Sequence, residues 1–452
     1  MTWMLSDIAS MTKGQLIGED QAIDSVSTDS RQVSLDQLFI AIKGERFDAH
    51  DFVESLAGKA GAALVSQYID CDLPQVVVSD TRVALADFAA AWRQQFKQPL
   101  IALTGSNGKT TVKEMLSAIL SERGQVLATL GNLNNDLGMP LTLLRLRDQH
   151  DYAVIEMGAN HFGEIKFLTN IAKPDVALLN NAGAAHLEGF GDIKGVSRAK
   201  AEIFQGLNDS GVAVINADDQ YADYWFSCNQ GRQVISFGLI SDATVQGEIL
   251  PNGKVFLAAK SESVEICLSL LGEHNARNAL AAAAAAMAVG VELLTIKAGL
   301  ESLKPVKGRL ASVKGQQNTQ IIDDTYNANP TSVKAAIDVL SGFTRGQRVL
   351  VLGDLGELGE NALELHRELG AYAREQKIDR LFCLGVSTKA TAKEFGAKAE
   401  HFTELEPLLE SLKQQLNNNM TLLVKGSRSM RMERVVEALQ STPATSEVLS
   451  TC

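Results

Sequence analysis

At 452 residues the chain is too long for a single hydrophobic core and fits about three domains. With 45% hydrophobic and 21% charged residues and 9 prolines, its composition is that of a folded globular protein, not a disordered chain. A net charge of -12 argues against nucleic-acid or acidic-membrane binding through a basic surface, but leaves room for a local site that holds an anionic small molecule. The dispersed cysteines (Cys71, Cys228, Cys267, Cys383, Cys452) lack C-x-x-C spacing and read as free thiols, not a disulfide framework or zinc site. No charged-then-apolar signal segment precedes residue 30. The longest apolar run, 279–291, is short and Ala-rich, so the expectation is a cytoplasmic protein without membrane insertion.

Residues 1–98 form the first expected unit. LFIAIKG (38–44) reads as a strand, FDAHDFV (47–53) as a polar turn entering a helix that reaches about Gly61, and QVVVSD (75–80) as a second strand. A helix over 83–96 follows. Ser, Asp, Arg and His beside Gly turns, in STDSRQV (27–33) and FDAHDFV, suit a polar ligand; taken alone they suit caps and solvated turns better.

From 99 to 305 apolar strands alternate with helices: LIALTG, DYAVIEMG (151–158), DVALLNN (175–181) and VAVINAD (212–218), with helices near 110–123, 163–172 and 195–208. That pattern predicts a parallel sheet covered on both faces, with ligands at the C-terminal strand ends. The stretch PLIALTGSNGKTT (99–111) carries the chemistry. A buried strand, a Gly-rich turn and a helix start make a polyphosphate cradle from backbone N–H groups and the helix dipole. Lys109 reaches outer phosphates, and the Thr110 hydroxyl is placed to ligate Mg²⁺. Leu103 stands where the full G-x-x-x-x-G-K-[ST] pattern has its first Gly, leaving Gly105 and Gly108.

Glu156 ends an apolar strand, where a carboxylate needs a partner, and Mg²⁺ is one that suits hard oxygen ligands. His186, in a Gly/Ala-rich loop, and Lys200, on a helix, are by position alone as well explained as a structural histidine and a solvated lysine. Asn132, Asn134 and Asn135 offer donors and acceptors to a sugar or amide, or turn chemistry. Asn275 and Asn278 lie one turn apart at the start of the Ala-rich helix, facing either a base edge or a packed domain junction.

Residues 306–452 form the third expected unit, with strands at 321–324, 348–354, 380–385 and 421–426 between helices: a Rossmann-like layer. GDLGELG (353–359) has the spacing G-x-x-G-x-x-G, and no acidic residue ends the next strand, so a dinucleotide site is rejected. The last dozen residues read as a frayed tail.

Assembled, TGSNGKTT, VIEMG, NNAGAAHLEGFG, RAKAEIF, HNARNALAA, KGRLA (307–311) and DDTYNANP (323–330) resemble, in order and spacing, the motifs of the Mur ligase family. These are ATP-dependent enzymes that add amino acids to the peptidoglycan precursor. The resemblance spans nearly the whole chain. It implies an α/β protein of three domains: an N-terminal α/β UDP-substrate-binding domain (1–98), a central parallel-sheet P-loop ATPase domain (99–305) and a C-terminal Rossmann-like domain (306–452). STDSRQV with FDAHDFV, GNLNNDLGMP, VLGDLGELG and VKGSRSMRME are similar to the dipeptide-adding members. The Asp-Asn-Pro-Arg run of the diaminopimelate-adding members is missing.

The resemblance therefore implies UDP-N-acetylmuramoyl-tripeptide and D-alanyl-D-alanine as substrates, joined through an acyl phosphate by a monomer. It places ATP on Gly105, Ser106, Asn107, Gly108, Lys109, Thr110 and Thr111, and its adenosine on Asn275, Asn278, Arg309 and Asp324 with Tyr326. It implies two Mg²⁺ ions on Thr110, Glu156 and His186, and catalytic roles for Lys109, His186 and a carbamylated Lys200. Thr28, Ser30, Arg31, Lys43 and His50 are implied at the UDP end, with Asn134 and Asn135 at the muramoyl or peptide portion. Lys425, Ser427 and Arg428 follow a strand end where an incoming carboxylate suits them. Two alternatives stay open: a folylpolyglutamate synthase-like ligase, which shares the phosphate-loop logic, and an ATPase switch that changes shape without making an amide.

Overall fold

A computed structural model describes residues 2–44, 46–304 and 306–441. The expected frayed tail from 442 onward, Cys452, and the linker residue 305 at the expected second boundary lie outside them. Among the described residues the fold is α/β, built on a five-stranded, a nine-stranded and a six-stranded sheet, with a small two-stranded ribbon near the start. No helix among them is long and apolar enough to cross a membrane.

The five-stranded sheet runs Gln15–Ile17, Gln75–Val77, Ala62–Val65, Gln37–Ile40, Ser25–Ser27, parallel except for the first pairing. Ser25–Ser27 and Gln37–Ile40 are parallel neighbours, so the loops carrying Thr28–Arg31 and Lys43–His50 leave the same end of the sheet. The helix expected to reach Gly61 is instead two tight 3-10 turns, Ala49–Phe52 and Glu54–Leu56. Asp48 caps the first turn, and the segment is too short to bury a helical face before Gly58 turns the chain at φ +72°.

In the nine-stranded sheet the phosphate-loop strand Leu100–Thr104 sits between Val176–Leu179 and Tyr152–Glu156, with Val126–Ala128 outside the latter. Successive strands are thus laid on opposite sides of Leu100–Thr104, which opens a crevice at their shared C-terminal ends. The expectation of a purely parallel sheet holds as far as Val245–Ile249. Beyond it, Val255–Ala259 and Glu262–Ile266 close the edge as an antiparallel meander. The Asn252-Gly253 turn is the local cause, with Gly253 at φ +82°.

The six-stranded sheet runs Ala311–Lys314, Gln320–Asp324, Met420–Lys425, Gln347–Gly353, Arg380–Leu384, Ala399–Phe402, parallel after an antiparallel first pair. One apolar core runs without a break from Trp3, Phe88 and Trp92 through Leu100 to Trp225, so the expected boundary at 98/99 is not a gap in packing. Arg93 reinforces the seam, its guanidinium donating to the carbonyls of Ala172 and Lys173 and to Asp175. The C-terminal sheet carries separate cores on its two faces.

Candidate active site

The phosphate loop follows a strand buried throughout and leads into the helix Lys109–Ser121. Its N-cap, Gly108, sits at φ +77° with no side chain to occupy the first amides, so they stay open to an anion. A Cβ at this position would lie 2.4 Å from Asn278 Oδ1 and 2.8 Å from Asn180 Nδ2. Glycine is thus required by packing as well as by backbone conformation.

The loop after Val176–Leu179 braces the crest. Asn107 N–H donates to Asn181 Oδ1 at 2.9 Å, and Asn180 Nδ2 donates to the Asn107 carbonyl at 3.0 Å. The Ser106 hydroxyl exchanges hydrogen bonds with the backbone of Gly183. Lys109 folds back so that Nζ donates to the Gly105 carbonyl at 2.8 Å. Burial pushes its amine below the ordinary lysine value; Glu156 opposes that shift and Arg309 adds to it.

Glu156 is buried and already partnered: Thr110 Oγ1 donates to Oε2 at 3.0 Å and Asn134 Nδ2 to Oε1 at 2.8 Å. A hydroxyl and a carboxylate oxygen side by side at a phosphate loop fit Mg²⁺, which takes one or two protein oxygens and completes its shell with phosphate and water. Among the described residues no three His, Cys, Asp or Glu side chains converge to form a protein-only cage. His186 sits at φ +53° beside the C-terminal unit. Its Nδ1 lies 2.6 Å from Glu357 Oε2 of the C-terminal sheet unit. The imidazole holds the Glu357 carboxyl below its usual range.

Lys200 is buried, with Nζ 3.4 Å from the Ala159 carbonyl and 5.5 Å from the centre of the Phe190 ring. Burial first, and then the charge of Lys109, push its amine down to about 7. A lysine that gives up its proton near neutrality is a nucleophilic amine rather than a solvated cation, contrary to the position-only reading.

Several expected ligand contacts are committed within the protein. Asn278 Oδ1 accepts from Asn180, and its Nδ2 donates to Asn275 Oδ1; Asn275 Nδ2 donates to the Leu271 carbonyl. Asn278 thus lies against Gly108 and Asn180 beside the phosphate loop, and Asn275 backs it from one turn earlier. Asn135 Oδ1 accepts from Gly138 N–H at the start of the helix Gly138–Leu143, while Asn134 serves Glu156. His50 is buried and uses both ring nitrogens, Nδ1 at 2.5 Å from Asp48 and Nε2 accepting from Ser66 N–H at 2.8 Å, so it shapes its loop. Arg31 is tied bidentately to Asp29 at an exposed turn, where it holds that carboxyl at about 2. Thr28 and Lys43 are exposed, with Lys43 Nζ 3.6 Å from Asp48, and Ser30 is half-buried.

The C-terminal unit reaches the loop directly. Arg309 Nη2 donates to Thr110 Oγ1 at 3.1 Å while its guanidinium stacks 4.1 Å from the centre of the Tyr326 ring. Asn329 Nδ2 donates to Asn107 Oδ1 at 2.7 Å. Lys425 is not free for an incoming carboxylate: it forms a buried pair with Asp324 at 2.6 Å and donates to the Asn327 carbonyl. Ser427 Oγ donates to the Asp354 carbonyl, and the Arg428 guanidinium stands 5.9 Å from Tyr326 on its way to Glu433. The Asp354 carboxylate accepts the N–H groups of Val386, Ser387 and Thr388, so it caps the start of the helix Thr388–Phe395.

Sequence reasoning passed over Asn180, Asn181, Asn329 and Glu357. The one usable signal was position: Asn180 and Asn181 end the strand beside the phosphate-loop strand, and Asn329-Pro330 marks a helix N-cap.

Three family models match in succession: the catalytic domain of the Mur ligase family over residues 22–93, the Mur ligase middle domain over 103–286 and the glutamate ligase domain over 308–428. Along 444 residues the chain is 48% identical to the Escherichia coli UDP-N-acetylmuramoyl-tripeptide–D-alanyl-D-alanine ligase, covering 96% of this chain and 98% of that one. The chain belongs to the Mur ligase family. Among solved Mur ligase structures, MurF from Acinetobacter baumannii is 39% identical and superposes with a TM-score of 0.92 over 97% of this chain and 98% of its own. MurF from Thermotoga maritima, solved with ADP, is 29% identical with a TM-score of 0.81, covering 92% and 96%.

Proposed function

We propose that this Mur ligase joins D-alanyl-D-alanine to UDP-N-acetylmuramoyl-tripeptide at the expense of ATP, in peptidoglycan precursor synthesis. The observation that carries this reading is the 48% identity, end to end, with a ligase of that name. The phosphate loop supports the ATP half, since its open helix start and Lys109 suit a triphosphate.

A carboxylate resists attack by an amine, so the reaction needs activation. A carboxylate oxygen of the tripeptide attacks the γ-phosphorus of ATP, the bond to ADP breaks, and an acyl phosphate results. The neutral amine of the dipeptide then attacks the acyl carbon; phosphate leaves, and the nitrogen gives up its proton. Positioning and charge neutralisation dominate the first step. The amides of 105–111 cradle the phosphates, Lys109 exchanges its Gly105 contact for the outer phosphate, and Arg309 adds a second cation beside Thr110. Thr110 and Glu156 would hold Mg²⁺, with His186 the candidate for a second ion once it leaves Glu357; bound Mg²⁺ supplies neutralisation of phosphate charge. Lys200, whose amine gives up its proton at about pH 7, suits capture of CO₂ as a carbamate, which turns a buried cation into an anion. The loops at Thr28–Arg31 and Lys43 are the UDP end, and the enzyme acts as a cytoplasmic monomer.

The test is ADP release in Mg²⁺-ATP with each substrate alone and with both, the product identified by mass spectrometry. Release that needs both substrates and yields a pentapeptide product is expected. ATP hydrolysis indifferent to them would favour the ATPase switch, and extension of a folate in their place the folylpolyglutamate synthase-like ligase.

A further inference from the structure

The phosphate loop is not completed by its own domain. The central unit grips the Asn107 backbone through Asn180 and Asn181, but the Asn107 side chain is held by Asn329, 222 residues away. The orientation of the Asn329 amide is set locally. Its Oδ1 accepts Ser332 N–H at 2.9 Å, and Ser332 Oγ returns a bond to the N-cap backbone, a capping box on the helix Pro330–Ser341. Nδ2 is then the end left to face the loop. On the other side, Asn180 Nδ2 also donates to Asn278 Oδ1 at 2.9 Å, and Asn278 donates to Asn275 at 3.2 Å. A continuous run of amides thus links the C-terminal unit, the crest of the phosphate loop and the start of the Ala-rich helix.

Asparagine suits such a run. It is neutral, so it does not compete with phosphate for the loop, and each side chain donates and accepts at once, so each amide orients the next. We propose that Asn329 is a positioning residue for the ligation: docking of the C-terminal unit sets the phosphate loop through the Asn329–Asn107 hydrogen bond. The same unit carries Arg309 to Thr110, so the loop takes its working shape as the second cation arrives. Phosphoryl transfer is thereby tied to domain docking. The proposal rests on the ligase reading above.

Asn329→Ser keeps a capping hydroxyl but removes the donor to Asn107, and Asn107→Ala removes the acceptor while leaving the helix cap untouched. In the full-length, ligand-free protein, amide exchange of residues 105–110 should quicken about five-fold in Asn329→Ser, the effect of one lost hydrogen bond. Exchange along 331–341 should be unchanged, and Asn107→Ala should reproduce the faster loop exchange. In the ligation assay kcat should fall about five-fold in each single variant, with no further fall in the double variant, because both remove one interaction. Loop exchange equal to wild type in Asn329→Ser, or effects on kcat that multiply in the double variant, would overturn the proposal. Should wild type form no amide at all, the ligase reading falls and the exchange data alone decide the positioning role. If wild type is active and loop exchange is unmoved, the positioning role falls and the ligase reading stands.

Discussion

Lys200→Met should stabilise the fold at neutral and acidic pH while abolishing ligation. The Lys200 amine has an ordinary value of 10.5 and is held at about 7 in the fold, chiefly by burial. At about 1.4 kcal/mol per unit, carrying this side chain costs the folded state about 5 kcal/mol where both states are protonated, at and below pH 7. The sign follows from proton counts. Between pH 7 and 10.5 the unfolded chain binds a proton that the folded chain has lost, so stability rises with pH across that window and the penalty fades toward its upper end. Methionine removes the penalty and forfeits the contacts with the Ala159 carbonyl and the Phe190 ring, about 1 kcal/mol each. The net gain is then about 3 kcal/mol at pH 6, shrinking toward zero by pH 9. Urea unfolding followed by tryptophan fluorescence reads it, since Trp3, Trp92 and Trp225 share one core and Trp225 Nε1 donates to Ser197 on the helix of Lys200. In CO₂-free buffer, a difference between variant and wild type that is the same at pH 6 and pH 9 would refute the claim that the fold holds a neutral amine. Added bicarbonate at pH 8 should stabilise wild type and leave the methionine variant unmoved.

Gly108→Ala should weaken ADP binding at least ten-fold by calorimetric titration. Its Cβ meets Asn278 Oδ1 at 2.4 Å in a left-handed conformation, about 1 kcal/mol for the backbone and about 1 kcal/mol for the displaced amide pair. Adding Asn278→Ala should return part of that loss, and no recovery would show that the clash is not the cause. His50→Ala should lower stability by about 1–3 kcal/mol, seen as a drop in Tm of several degrees, because it removes the ring contact with Asp48 and leaves the Ser66 amide without its acceptor. An unchanged Tm with a ten-fold rise in KM for the UDP substrate would restore His50 to the ligand site. Lys425→Met leaves Asp324 buried without its cation and should destabilise the C-terminal unit by about 3–5 kcal/mol. Scanning calorimetry should show Asp324→Leu in the same chain recovering most of that loss.

What the sequence determined by itself was local. An apolar run, a Gly-rich turn and a helix start at 99–121 declare a phosphate site, since backbone amides make it and their geometry depends on a dozen consecutive residues. Four of the six C-terminal strands were legible because each holds a short apolar run, whereas the edge strands Ala311–Lys314 and Ala399–Phe402 were not. The edge meander over 245–266 was not, because half-exposed strands dilute the apolar pattern, and only Asn252-Gly253 marked it. Tertiary structure alone decided the partners. Asn278 and Asn329 look like any helix-start asparagines until folding sets them against Gly108 and Asn107; Lys200 looks like a solvated lysine until Phe190 and Ala159 cover it. An amide or an amine carries no periodic signal of its own. Its role is settled by what the fold places within 3 Å of it and by how much water is left, and both are properties of the packed chain.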